Sequence, residues 1–231
     1  MAGKKKMGTK DLLGFENVVS SSEKLKAYFE KNARQIIAIS LILCLTAGAT
    51  AYWIISNKAS AQAAQNILNK ALYTMSATPP TEAEQTAALS SSIKLLSLAV
   101  DTYSKTDAGQ AALFYRAQCK SRQKDYSGAI NDYTNFLLYS GSMVDQLRPF
   151  ALENMGYAHE ALKDSTEALR WYEQAVQAGR SAALIGMARM HEAAGSAALA
   201  CEQYQKYLAD QSDSGYQEFV EMKIGKVCRP E

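Results

Sequence analysis

Three stretches of the chain, AQCKSRQKDYSGAINDYTNFL from Ala117, GYAHEALKDSTEALRWYEQAV from Gly156 and ARMHEAAGSAALACEQYQKYL from Ala188, align without an internal gap. A unit that recurs in this way constrains a fold more than composition does, because every copy must bury the same face against the next one. In the shared register Ala117, Gly156 and Ala188 lie twelve positions before Ala129, Ala168 and Ala200, and Tyr133, Tyr172 and Tyr204 follow those alanines by four. Leu137, Val176 and Leu208 come four residues later. A small residue on one helix and an alanine on the next let two antiparallel helices approach closely, while the tyrosine and the aliphatic carry an i, i+4 stripe toward the following pair. The spacing predicts stacked helical hairpins. The interval between copies varies, 39 residues from Ala129 to Ala168 and 32 from Ala168 to Ala200. The extra residues fit a longer connection at Ser140–Arg148, with Pro149 pre-set for the first turn of the next helix.

This pattern resembles the tetratricopeptide repeat (TPR), a helix-turn-helix unit of about 34 residues. Leu113, Leu152 and Leu184 occupy its early large apolar position, whereas Lys120, His159 and His191 stand where a tyrosine is usual. The turns are expected at Asp125-Tyr126, Asp164-Ser165 and Gly195-Ser196. Three repeats cover 110–211. Residues 57–109 read as a divergent first hairpin of two Ala-rich helices separated by Thr78-Pro79-Pro80. Tyr216, Phe219, Val220 and Ile224 give 212–231 the spacing of an amphipathic helix that caps the last apolar face.

Ile36–Ile55 is an uncharged run of 20 residues. At about 1.5 Å per residue a helix of that length crosses the roughly 30 Å hydrocarbon core of a bilayer, which places a transmembrane helix at 36–56. Tyr52 and Trp53 suit the interface, and Arg34 and Lys58 bracket the run. The run exceeds the roughly 7–15 apolar residues of a cleavable signal, and its small-residue pairs lie inside it, so it reads as a retained anchor. Cys44 follows the large Leu43 rather than a small residue, which reads as an apolar position and not a lipidation site. The segment 1–35 carries eight Lys/Arg, including Lys4, Lys5 and Lys6, against four acids. That excess predicts a cytoplasmic N-terminus and a C-terminal domain in the periplasm of a bacterial inner-membrane protein. The complete expectation is all-α: a transmembrane helix, then a TPR-like right-handed α-solenoid with a C-terminal capping helix.

His159 and His191 share a repeat position but have no cluster of further ligands at metal spacing. Neither a glycine-rich phosphate loop nor a nucleophile elbow nor paired acids stands out, so the chain reads as no enzyme, with no cofactor, no nucleic acid and no small-molecule substrate. Cys119 reads as packing. Cys201, early in one helix, and Cys228, late in an antiparallel one, are candidates for a disulfide in an oxidising compartment. The repeat register assigns Phe114, Gln118, Arg122, Phe150, Glu153, Tyr157, Ile185 and Arg189, with Ser121, Glu160 and Glu192, to a concave groove that binds a peptide or helix. TPR domains that clamp a terminal carboxylate resemble one another in Lys, Asn and Arg at such positions; Phe114, Gln118, Glu153 and Tyr157 stand there instead.

Tyr28-Phe29 with Asn32 before the span, Tyr103–Ala112 at the repeat entry and Met222-Lys223-Ile224 near the end resemble the bacterial ancillary SecYEG translocon subunit family. The resemblance covers nearly the whole chain by layout. It implies a single-span inner-membrane protein whose periplasmic TPR domain associates with the Sec translocon, periplasmic chaperones or exported chains. A structural scaffold in another envelope assembly, such as division or outer-membrane machinery, is the alternative from a different class. An organelle import receptor with cytosolic repeats would need the opposite orientation.

Overall fold

A computed structural model describes residues 9–76, 80–210 and 215–228, with side chains from Leu25 onward. Lys4, Lys5, Lys6, Thr78 and Pro79 lie outside the described residues. Among those described, the chain forms nine α-helices and no strand. They are α1 (Thr9–Ser76), α2 (Glu82–Tyr103), α3 (Asp107–Arg122), α4 (Tyr126–Leu137), α5 (Ser142–Ala161), α6 (Ser165–Gln177), α7 (Ala183–Ala193), α8 (Ala197–Ala209) and α9 (Gln217–Val227). Two compact units result, 1–57 and 58–231.

In the first unit α1 is long and apolar enough to cross a membrane. Its large apolar side chains, among them Ile37, Leu41, Leu45 and Ile55, are uncovered by the chain itself. Thr46 and Thr50 return their hydroxyls to carbonyls of the preceding turn, at Leu43, Thr46 and Ala47, so neither presents an unpaired donor.

In the second unit each helix from α2 to α8 packs on its successor, and α3, α5 and α7, the first helices of successive hairpins, also pack on one another. That double pattern is a TPR-like stack of hairpins. Ala64, Leu68 and Ala71 of α1 meet Leu96 and Ala99 of α2 to build the divergent first hairpin, and the Ser92 hydroxyl reaches the Ala71 carbonyl at 3.2 Å. Thr81 and Glu84 form a reciprocal capping box that starts α2. At the repeat entry Gly109 sits so close to the end of α2 that an added Cβ would lie 1.9 Å from the Tyr103 carbonyl oxygen. The Tyr103–Ala112 stretch is thus a tight helix-to-helix join, with Thr106 as its N-cap.

The hairpin turns share one construction. Lys124, Lys163 and Gly195 take positive φ at the same register position, and the next residue returns its N–H to Lys120, His159 or His191. That next residue then caps the second helix, with Asp125 accepting from Gly128 N–H and Asp164 from Glu167 N–H. The third turn places Gly195 at the left-handed position and Ser196 at the cap, so its Gly195-Ser196 pair lies one residue earlier in register than Asp125-Tyr126.

The longer interval between the first two repeats is spent differently from the expected connection. α5 begins at Ser142, and Pro149 lies inside it rather than in its first turn. Val144 is fully buried, and Met143 and Leu147 pack beside it against the clusters of the first two hairpins, which favours two more turns of helix over a loop. Arg148 then donates to the Tyr139 carbonyl beyond α4 at 3.2 Å, at a helix end rich in unpaired acceptors.

Tyr172 fixes the distance between the last two hairpins. A Cβ on Gly156 would fall 2.5 Å from its Cδ1, and one on Gly186 would fall 2.5 Å from its Cζ, so the ring fills a slot that only glycines leave open. Replacing Gly186 by Ala is expected to lose roughly 1–2 kcal/mol in urea unfolding, because overpacking outweighs the up to ~1 kcal/mol of helix propensity gained. The control is Gly225→Ala, where an added Cβ meets nothing within 4 Å and stability is expected to hold or rise. Equal gains at both positions would mean that the ring imposes no such limit.

Candidate functional site

The first helices of the hairpins and the start of α9 surround a cavity of about 510 Å³. Gln118 of α3, Phe150, Glu153, Asn154 and Tyr157 of α5, and Ile185, Gly186 and Arg189 of α7 line it, with Tyr172, Arg180, Ala182, Tyr216 and Phe219. Phe150, Tyr157, Tyr216 and Phe219 remain 41 %, 49 %, 51 % and 40 % exposed. Isolated exposed aromatics are ordinary, but four around one concavity make a patch of the kind that marks interaction sites.

The cavity's ionic groups are engaged within the chain. Arg180 Nε donates to Glu153 Oε2 at 2.6 Å while its guanidinium lies 4.7 Å from the Phe150 ring centroid. Arg189 grips Glu160 with two bonds, Nε to Oε1 at 2.9 Å and Nη2 to Oε2 at 2.7 Å. The Tyr172 hydroxyl donates to the same carboxylate at 2.5 Å and accepts from Arg189 Nη2 at 3.2 Å. Burial first, then the hydrogen bond to Glu160 and that group's charge, push the Tyr172 hydroxyl above its ordinary pKa. The bonds to Glu160 likewise raise Arg189 and outweigh its burial, so the guanidinium stays charged.

One repeat later the arrangement recurs. Tyr204 donates to Glu192, and Lys223 of α9 supplies the cation at 2.8 Å. Burial opposes the Glu192 charge, but hydrogen bonds from Lys223 and Tyr204 and the field of Lys223 hold its carboxyl below the ordinary range. The first repeat departs from this scheme. Its Tyr133 hydroxyl is buried beside Ser121 and Asn154, and its charges gather around Asp132, which Arg116 meets with two 2.8 Å bonds and Lys120 with one.

Six of the eight groove residues expected from sequence line this cavity: Gln118, Phe150, Glu153, Tyr157, Ile185 and Arg189. Two do not. Phe114 is 3 % exposed and packs with Tyr133, Phe136 and Val144, because the lengthened α5 covers the register position that Glu153 and Ile185 present to the cavity in later repeats. Arg122, the last residue of α3, donates to the Met75 carbonyl near the end of α1 at 3.3 Å and lies outside the cavity. The repeat positions Ala117, Ala129, Gly156, Ala168, Ala188 and Ala200 are all buried at helix contacts, with Tyr133, Tyr172 and Tyr204 among them. Sequence reasoning missed Tyr216, Arg180 and Asn154 as lining residues. It placed Tyr216 and Phe219 only in a cap, and the available signal was this pair of aromatics three residues apart at the start of the last amphipathic segment.

His159 Nδ1 lies 3.3 Å from Asp164 Oδ2 and so braces the turn into α6. Among the described residues no group of three or more His, Cys, Asp and Glu is placed to hold a metal ion. Cys119 is buried and its thiol is pushed up to about 11, chiefly by desolvation. Cys201 and Cys228 are bonded, Cα to Cα 5.3 Å, which ties the start of α8 to the end of α9. Tyr216 N–H donates to the Tyr207 hydroxyl at 3.0 Å, so α9 is held at both ends.

The hairpin stack, its concave face and its internal ion pairs define an all-helical stack of TPR-like hairpins. No family model and no curated protein matches the chain. Among solved structures it is similar to Pseudomonas aeruginosa pilF, at 17 % identity and a TM-score of 0.47 over 74 % of this chain and 84 % of that one. It is also similar to a Podosopora anserina kinesin light chain with nearly identical TPR-like repeats, at 16 % identity and a TM-score of 0.43 over 69 % and 90 %. Both scores are low, and the fold assignment rests on the hairpin geometry above.

Two outcomes are expected for the cap. Since the Glu192 carboxyl is held below its ordinary range, its contribution is complete above that range and lost as pH falls through the lowered value. The stability gap between the wild type and Glu192→Gln is therefore expected to be full near pH ~6 and to shrink toward pH ~3; an unchanged gap would contradict the pairing. Reduction of the Cys201–Cys228 bond, which spans 27 residues of sequence, is expected to lower unfolding stability. The loss is about 3.5 kcal/mol on the loop-entropy scale, read by urea titration with and without reductant. Coincident curves would argue against a constraint on α9.

Proposed function

We propose that this chain is a membrane-anchored protein-interaction module on the periplasmic face of a bacterial inner membrane. In this reading 36–56 is the anchor, the basic tail 1–35 stays in the cytoplasm, and the hairpin stack stands in the periplasm. There it assists protein export by linking the Sec translocon with periplasmic chaperones or with exported chains. The observation that carries the reading is the concave cavity ringed by Phe150, Tyr157, Tyr216 and Phe219. Further support comes from the uncovered apolar side chains of α1, which suit a bilayer, and from the excess of Lys/Arg ahead of them. A bonded Cys201–Cys228 pair suits an oxidising compartment such as the periplasm.

A photo-crosslinking residue at position 157 in living cells tests the partner. Adducts with translocon subunits, chaperones or exported chains are expected, whereas adducts confined to division or outer-membrane components would replace the export role with the scaffold. A topology reporter fused after Glu231 tests the compartment. Activity of a periplasm-dependent reporter is expected, and activity of a cytoplasm-dependent one alone would overturn the orientation.

A further inference from the structure

The cavity is charged in composition but closed in its electrostatics. Arg180 is 2.6 Å from Glu153 and Arg189 is 2.7 Å from Glu160, each pair on facing elements of the same chain. A charged segment entering here meets no unpaired counter-charge in either pair, and drawing one member away would leave the other uncompensated in a partly exposed setting. An uncharged segment leaves them intact. What the cavity still offers is the exposed faces of Phe150, Tyr157, Tyr216 and Phe219, and the side-chain amides of Gln118 and Asn154.

We propose that this cavity takes an extended, uncharged stretch of polypeptide bearing aromatic or large aliphatic side chains, the amides of Gln118 and Asn154 hydrogen-bonding its main chain. An amide side chain carries donors and an acceptor, as does each peptide group with its N–H and C=O, so the match does not depend on the bound sequence. The aromatic faces accept any large apolar side chain, which again selects a class and not a motif. A volume of about 510 Å³ falls in the range of sites that bury a ligand, and it admits a few side chains but not a folded domain. The occupant is thus a segment that is extended and exposes its apolar side chains where it binds. This inference rests on the interaction-module reading and narrows it to one chemistry of partner.

The test uses the full chain in detergent with three fluorescent peptides of equal length. One alternates Phe or Leu with Ser and Asn; in the other two, Asp or Lys replaces half of the Ser and Asn. Fluorescence anisotropy is expected to rank the uncharged peptide tightest, with its Kd changing less than about threefold between roughly 0.05 and 0.5 M salt, since few ionic contacts are made. Tyr157→Ala and Phe219→Ala are each expected to weaken it by about tenfold or more, as loss of an aromatic anchor does. Both side chains are exposed, so thermal melts should match the wild type. Gln118→Met, near in shape but without the amide, is expected to weaken it by several-fold.

Tighter binding of either charged peptide, a steep salt dependence, indifference to Tyr157→Ala and Phe219→Ala, or no binding at all would each overturn the inference. Protein adducts from position 157 in cells would leave the interaction module standing in every one of those cases. Absence of such adducts would remove the broader reading by itself.

Discussion

The hydroxyl of Tyr172 is the point on which the last two hairpins depend. Its ring sits between Gly156 and Gly186, and its oxygen joins a carboxylate, Glu160, that is also gripped by Arg189. Three helices, α5, α6 and α7, thereby meet at one side chain. The apolar part of the contact would tolerate several rotations of the helices, because dispersion and burial are not directional. The hydrogen bonds allow far fewer. A carboxylate with a tyrosine from its own hairpin and an arginine from the next one fixes both the hairpin angle and the stacking offset. The third repeat keeps the device and changes the donor, since Lys223 on α9 meets Glu192 as Arg189 on α7 meets Glu160. The capping helix is therefore docked by the same chemistry that joins the repeats.

The first repeat shows that the slot, and not the particular residues, is what the fold requires. Arg116 and Asp132 occupy register positions held by Met155 and Trp171 in the second repeat and by Met187 and Gln203 in the third. In one copy the space is filled by an ion pair whose carboxylate side chain is 1 % exposed, and in the next by a buried methionine and a partly buried indole of the same apolar cluster. Buried ion pairs and apolar pairs of similar volume are close in net stability, since desolvation offsets most of the Coulomb gain. Exchange between them costs little so long as both partners change together.

The hairpins were legible in the sequence because the constraint behind them is steric and periodic. Ala117, Gly156 and Ala188 mark where helices come closest, and the tyrosines sixteen residues on mark what fills the gap, so the register survives low similarity elsewhere. The fate of Phe114 was not legible in the same way. Its register position faces the cavity in the later repeats, and only the extra turns of α5, with Val144 buried against it, turn that face inward. A proline at 149 read as a start signal, and the apolar spacing of Met143, Val144 and Leu147 ahead of it was the competing signal that won. Tyr172 and Tyr204 were readable as packing residues. Their hydroxyls' partners twelve residues earlier, Glu160 and Glu192, read as groove-facing acids, because periodicity places a side chain on a face but does not tell which neighbour will neutralise it.

That last difference bears directly on what the concave face recognises. A list of residues by position gives a wall of mixed charge, with Glu153, Glu160, Arg180 and Arg189 all near the cavity, and such a wall would select partners by complementary charge. Their pairing removes most of that selectivity, since each cation's field is met at under 3 Å by a carboxylate on a neighbouring element. The same bonds that set the hairpin angles therefore leave the surface recognising shape and apolar area. Building rigidity from ion pairs on the concave side has this consequence in any repeat protein: the more charges the stack uses to fix itself, the fewer remain to discriminate among ligands. Here two of the four exposed aromatics, Tyr216 and Phe219, come with the capping helix, so the element that closes the stack also completes the surface that is left to bind.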